Sequence, residues 1–254
     1  MINYEKLWND LRQKLETQIS NLTPEYRDYV DRLGYAICAS PLKSAKILVL
    51  GANWGGDEDN NREEYTKMPW ANELLADWPF ARNFQRCLRE ILGSEEKAIY
   101  LIWKHTVYTN VCLLRTPNTY NEKHKEYKVT NRDVYRKGID ESKQVLMRII
   151  QAVQPEIIIC SGNIKDNKVP TPTAVVSGMT KGNEESYRIN WWEDEDVNRY
   201  PISGSNFYVF EGNLEGLPKK VTVLSFPHFS YYNYTLTKEV IQVCRDVLKR
   251  RELL

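Results

Sequence analysis

Apolar residues along this chain follow two rhythms. Leu7, Trp8, Leu11, Leu15, Ile19 and Leu22 recur at steps of three and four, which predicts an amphipathic helix near the start. The same spacing puts Phe84, Leu88, Ile91 and Leu92 of RNFQRCLREIL on one helical face. It returns in ESKQVLMRIIQAV, stopped by Pro155, and in LTKEVIQVCRDVLKRREL, whose basic last turn suits the helix dipole. Between these lie short apolar runs rich in β-branched residues: AKILVLGA, HTVYTNVCLL, EIIICSGN and VTVLSFP read as strands. NFYVFEGN alternates instead, as an edge strand or hairpin arm does. Strands alternating with helices predict an α/β fold with three layers, α/β/α, around a central, mostly parallel four-stranded sheet. A single domain is expected over 1–254, with a helical N-terminal extension over about 1–44 and a polar insertion over about 163–206.

The totals add bounds. A chain of 254 residues is long enough for one such domain with a real core. Its formal net charge of +1 gives no overall basic excess, so any nucleic-acid surface would have to be a local patch. The five cysteines, Cys38, Cys87, Cys112, Cys160 and Cys244, are scattered and contain no C-x-x-C pair. They suggest buried, reduced thiols rather than a zinc knuckle or a disulfide framework. The charged start MINYEKLWNDL lacks a signal core and no apolar run is long enough to span a membrane, so a cytoplasmic protein is expected.

Each strand candidate closes on something polar: Asn53 in LGANWGG, Asn110 after VYT, Ser161 and Asn163 in CSGN, and His228 after SFP. Ligands of open α/β sheets bind at the carboxyl ends of the strands, so parallel neighbours would bring these side chains to one crevice. Singly, each has an ordinary alternative. Asn at a strand end caps turns, and a lone His is commonly a hydrogen-bonded structural residue. GANWGG is neither G-x-G-x-x-G nor a P-loop, and no G-x-S-x-G or H-E-x-x-H occurs. The acidic run Asp57 to Asp59 is weighed between a metal ligand and a solvated loop. The expectation is no metal and no cofactor.

The order of these motifs resembles the uracil-DNA glycosylase superfamily, closest to its iron–sulfur and mismatch-specific branches. LGANWGG is similar to the first motif, with Gly51 and Ala52 bounding the base pocket and Asn53 where the mismatch-specific branch positions its water. WPFARNFQRCL resembles the stretch that supplies a base-stacking aromatic, falling on Phe80, with Tyr65, Trp70 and Trp78 as rivals. VYTNVCLLRTPN is similar to the strand whose Asn reads a pyrimidine edge, here Asn110. QPEIIICSGN is similar to the strand before the second motif. SFPHFSYYN resembles the second motif and its wedge loop, here His228, Phe229, Ser230, Tyr231 and Tyr232. The likeness runs, with interruptions, from about Ala45 to Asn233. Two family prolines are replaced by Trp54 and Phe229, and the cysteines depart from the cluster-binding pattern, so no iron–sulfur cluster is expected.

The resemblance implies a monofunctional enzyme that breaks the bond between a base and C1′ of deoxyribose. Phe80 would stack on the flipped base, and Asn110 would offer it a donor and an acceptor. His228 would donate to the base oxygen as charge collects there, and Asn53 would orient the attacking water. Ser161, Asn163 and Ser230 would hold phosphates, and Tyr231 and Tyr232 would either act as wedges or pack on the last helix. Arg115, Lys123, Lys125 and Lys128 would form a cationic rim. The expected partner is DNA, and the expected state a monomer with no membrane attachment. Two other classes stay open: a recognition protein for modified or damaged DNA on the same fold, and a hydrolase or transferase for a free nucleoside or nucleotide.

Overall fold

The apolar runs become strands buried at every position: β1 (Ile47–Gly51), β2 (Thr106–Asn110), β3 (Ile157–Ser161) and β6 (Val221–Phe226). The structure is a computed structural model that describes residues 2–55, 67–117, 128–163, 169–182, 191–202, 204–231 and 235–254. The four strands are parallel neighbours in the order β2-β1-β3-β6. The sheet then continues. β5 (Ser205–Gly212) pairs antiparallel with β6, and β4 (Asn198–Ile202) pairs antiparallel with β5. The mixed sheet therefore has six strands, not the expected four. NFYVFEGN is one arm of a hairpin, and the edge is its partner β4, a mostly exposed strand carrying Pro201. Proline lacks a ladder donor and is tolerated at such an edge.

Strand side chains alternate between faces, so the sheet supports two cores. On one face, Leu48, Leu50, Val107, Val221 and Val223 pack against α1 (Tyr4–Ser20), α2 (Pro24–Leu33), α5 (Asn131–Val153) and α6 (Pro172–Lys181). On the other, Ile47, Val49, Tyr108, Ile157, Ile159 and Leu224 pack against α3 (Pro79–Leu92), α4 (Glu95–His105) and α7 (Lys238–Arg250). Each buried Leu, Ile or Val contributes roughly 1.5–3 kcal/mol by leaving water. The N-terminal helices share the first core with β1, and Tyr35 bridges to Leu114 after β2. Within the stretch expected as an insertion lie α6, a 3-10 turn at Trp191–Glu193 and β4. All five cysteines are buried free thiols. No helix among the described residues is long and apolar enough to cross a membrane.

The register fixes where chemistry can gather. Gly51 sits opposite Asn110, Leu50 opposite Cys160, and Ser161 opposite Phe226, so the four parallel strands end level along one edge of the sheet. The N-terminus of α3 and the chain after β6 meet at that edge, where Phe80 and Phe229 pack edge to face with ring centroids 5.5 Å apart.

Candidate functional site

Tyr108 and Asn110 stand two residues apart on β2, so both point to the face that carries α3. Asn110 lies across Gly51, and a Cβ added at Gly51 would come within 2.1 Å of its Oδ1. Glycine is needed there for space alone, since its φ lies outside the left-handed region. The Asn110 side chain is fully buried, yet neither Oδ1 nor Nδ2 makes a hydrogen bond among the described residues. The Tyr108 hydroxyl is a close neighbour of the amide, 3.2 Å from the same point above Gly51. Burial, with the Glu73 carboxylate adding to it and the Asn110 amide opposing, pushes the Tyr108 pKa far above its ordinary range, so this hydroxyl stays protonated.

Aromatic rings gather beside Asn110 and Tyr108. Phe80 stacks on Tyr108 at 5.3 Å and on Trp78 at 5.2 Å, and Trp54 meets Tyr108 edge on at 5.4 Å. Phe80 is thus on the spot, but only 2% of it is exposed, and Trp78 is part of what covers it. Of its rivals, Trp78 joins the same stack, Trp70 is 94% exposed, and Tyr65 lies outside the described residues.

His228 packs edge on against Phe80 at 5.7 Å. The backbone N–H of Ser230 donates to its Nδ1 at 3.2 Å. An imidazole that accepts at Nδ1 carries its proton on Nε2 when neutral, which makes Nε2 a donor. Burial holds its pKa down at about 4, so the neutral form prevails at physiological pH. Asn53 is half-buried in the loop after β1. Its Nδ2 donates to the carbonyl and to Oγ1 of Thr116, both at 2.6 Å. That orients the amide and leaves Oδ1, an acceptor, as the group turned away from Thr116.

Other expected residues reach this edge but are used differently. Ser161 is fully buried, and its Oγ accepts from the Phe229 N–H at 3.0 Å, which ties the His228 loop to β3 rather than meeting a phosphate. Asn163 is buried too, and its Nδ2 donates to the carbonyls of Asn206 and Ser225, so it braces β5 and β6. Arg115 is buried rather than part of a rim, and its Nε donates to the Gly55 carbonyl at 3.2 Å, steadying the Asn53 loop. Ser230 is half-buried and serves His228 through its backbone. Tyr231 closes a 3-10 turn that starts at Phe229, and Lys128 is exposed. Tyr232, Lys123, Lys125 and Asp57 to Asp59 lie outside the described residues.

Sequence reasoning missed Tyr108, Trp54 and Thr116 as parts of the site. The signal for Tyr108 was the two-residue step to Asn110 on one strand, which puts both on one face. Thr116 had none, because its contact depends on how the chain after β2 folds back. Scanned against models of known families and against curated proteins, the chain matches neither a family model nor a curated protein.

Proposed function

We propose that the chain is a monofunctional DNA glycosylase that hydrolyses the N-glycosidic bond of uracil or another altered base flipped from DNA. The observation that carries this reading is the buried Asn110 amide, whose two polar atoms have no hydrogen-bond partner of good geometry among the described residues. A native fold seldom keeps a buried donor and acceptor unsatisfied, and each costs about 1–3 kcal/mol unless a ligand meets it. An amide presents one donor and one acceptor side by side, which complements adjacent groups on a base edge. A neutral imidazole donor beside the same aromatic wall adds to the support.

The chemistry follows from those groups. As the bond from C1′ to the base nitrogen breaks, its electron pair moves onto the base and the sugar becomes cationic. The Nε2–H of His228 donates to the base oxygen where that charge collects, an interaction that strengthens in the transition state. Water adds to C1′ with Asn53 Oδ1 accepting one of its hydrogens, and the water's proton leaves to solvent or to the departing base. The test is incubation with single- and double-stranded oligonucleotides carrying uracil, hypoxanthine, xanthine, thymine mismatches or modified cytosines, followed by alkaline cleavage. Release from one of them is expected, and His228→Ala should slow it on the order of 10²-fold. Unchanged release by His228→Ala would remove that role.

A pH series checks His228 separately. Its neutral form is the working form, so base release should hold from pH 8 to about 5 and fall only towards 4. A decline already centred near 6.5 would contradict the buried, neutral imidazole. Stability moves in the same window. An unfolded chain has an ordinary imidazole near 6.5 and takes up a proton that the folded chain refuses down to about 4. The contribution is therefore intact above about 6.5 and is lost as the pH falls towards 4, up to on the order of 3 kcal/mol. Urea unfolding midpoints of wild type and His228→Gln across this range measure it, and the variant should show the weaker pH dependence.

One observation favours a second reading, a recognition protein that holds an unusual base without cutting. Asn53 has its NH2 group committed to Thr116 and cannot act as a base. Tight binding to modified DNA with no abasic product after long incubation would support it.

A further inference from the structure

Trp54 follows Asn53, and its indole N–H is buried without a hydrogen-bond partner among the described residues. The ring packs edge on against Tyr108, the residue whose hydroxyl lies beside Gly51 and Asn110. Besides Asn110, a second group without a hydrogen-bond partner among the described residues thus sits beside Tyr108. The two differ in what they can specify. An amide exposes a donor and an acceptor related by a half-turn about its last bond, and its neighbour, the Tyr108 hydroxyl, can donate or accept and so leaves both orientations open. In one orientation it matches a ring N–H beside a carbonyl. In the other it matches a bare ring nitrogen beside an amino group. Asn110 alone therefore accepts an oxo base and its amino counterpart alike. An indole N–H is a donor only and has no second orientation that accepts.

We propose that Trp54 is a base-selecting residue, whose indole N–H donates to an exocyclic oxygen of the bound base next to the edge read by Asn110. The pocket then takes bases that bear oxygen there and rejects those that bear an amino group, whose hydrogens would face the indole hydrogen. The substrate class is an oxo base such as uracil or hypoxanthine, against cytosine or adenine. This assignment rests on the glycosylase reading for the origin of the base, but not for its recognition.

Two measurements test it apart from that reading. The first titrates free uracil, cytosine, hypoxanthine and adenine into wild-type protein and follows the tryptophan indole N–H signals by NMR. The Trp54 signal is identified by its loss in Trp54→Phe. An oxo base of at least one pair should move it, and the amino partner should not. Equal movement within both pairs, or a silent Trp54 signal throughout, overturns the proposal. The second compares base release from oligonucleotides by wild type and Trp54→Phe. The variant should lose about tenfold on the oxo substrate, as expected for one hydrogen bond, and its preference for oxo over amino base should shrink. An unchanged preference overturns the proposal. If no oligonucleotide loses a base, the glycosylase reading fails, while the free-base titration still decides the role of Trp54.

Discussion

Asn110→Val is expected to give a protein that is more stable than the wild type and nearly inactive. The native amide is fully buried, and its two polar atoms lack a hydrogen-bond partner of good geometry among the described residues. Removing both groups together lifts a desolvation cost of about 1–3 kcal/mol without leaving a partner stranded. Valine also suits a strand interior and does not reach over Gly51 as the amide does. The melting temperature should rise by a few degrees, since about 2–4 °C accompanies each kcal/mol in a chain of this size. Base release should fall about 10³-fold, because a pocket built around a polar contact discriminates steeply when that contact is missing. Thermal unfolding and the cleavage assay on one preparation read both. A drop in stability together with activity would mean that the amide holds the fold, and the site would lose its main support.

Gly51→Ala should cost as much activity by a different route. The new methyl group would sit 2.1 Å from Asn110 Oδ1 and 3.2 Å from the Tyr108 hydroxyl, so the amide has to swing out of place. The backbone at this position needs no left-handed conformation, so the fold should survive with little change in melting temperature. Base release should again fall about 10³-fold. The two substitutions act on one amide, so Gly51→Ala combined with Asn110→Val should be no worse than either alone. Losses that multiply instead would show that Gly51 acts through something other than Asn110.

The parts of this fold that the sequence made plain are those with one-sided demands. β1, β3 and β6 are buried on both faces and read as apolar runs, and α1 and α3 keep an apolar stripe against a polar one. The missed elements blur those patterns. In α4, Ile99, Tyr100 and Trp103 are exposed while Ala98, Leu101 and Ile102 are buried, so apolar residues ring the helix and its period vanishes. β4 is polar, exposed and broken by Pro201, and is a strand only because β5 pairs with it. The site divides the same way. Asn53, Asn110 and His228 were visible as polar residues at strand ends. The inward use of Ser161, Asn163 and Arg115 was not, because a buried hydrogen bond to distant backbone leaves no mark on local sequence. Trp54 looked like a departure from a motif, and only the packing places it beside Tyr108.

The bond from the Phe229 N–H to Ser161 has a consequence for how such a protein can diversify. The imidazole is steadied through the neighbouring strand and through the Ser230 N–H. A change at Ser161 on β3 therefore reaches the imidazole, although the two are far apart in sequence. Strand and loop are thus tied, and substitutions at one constrain those at the other.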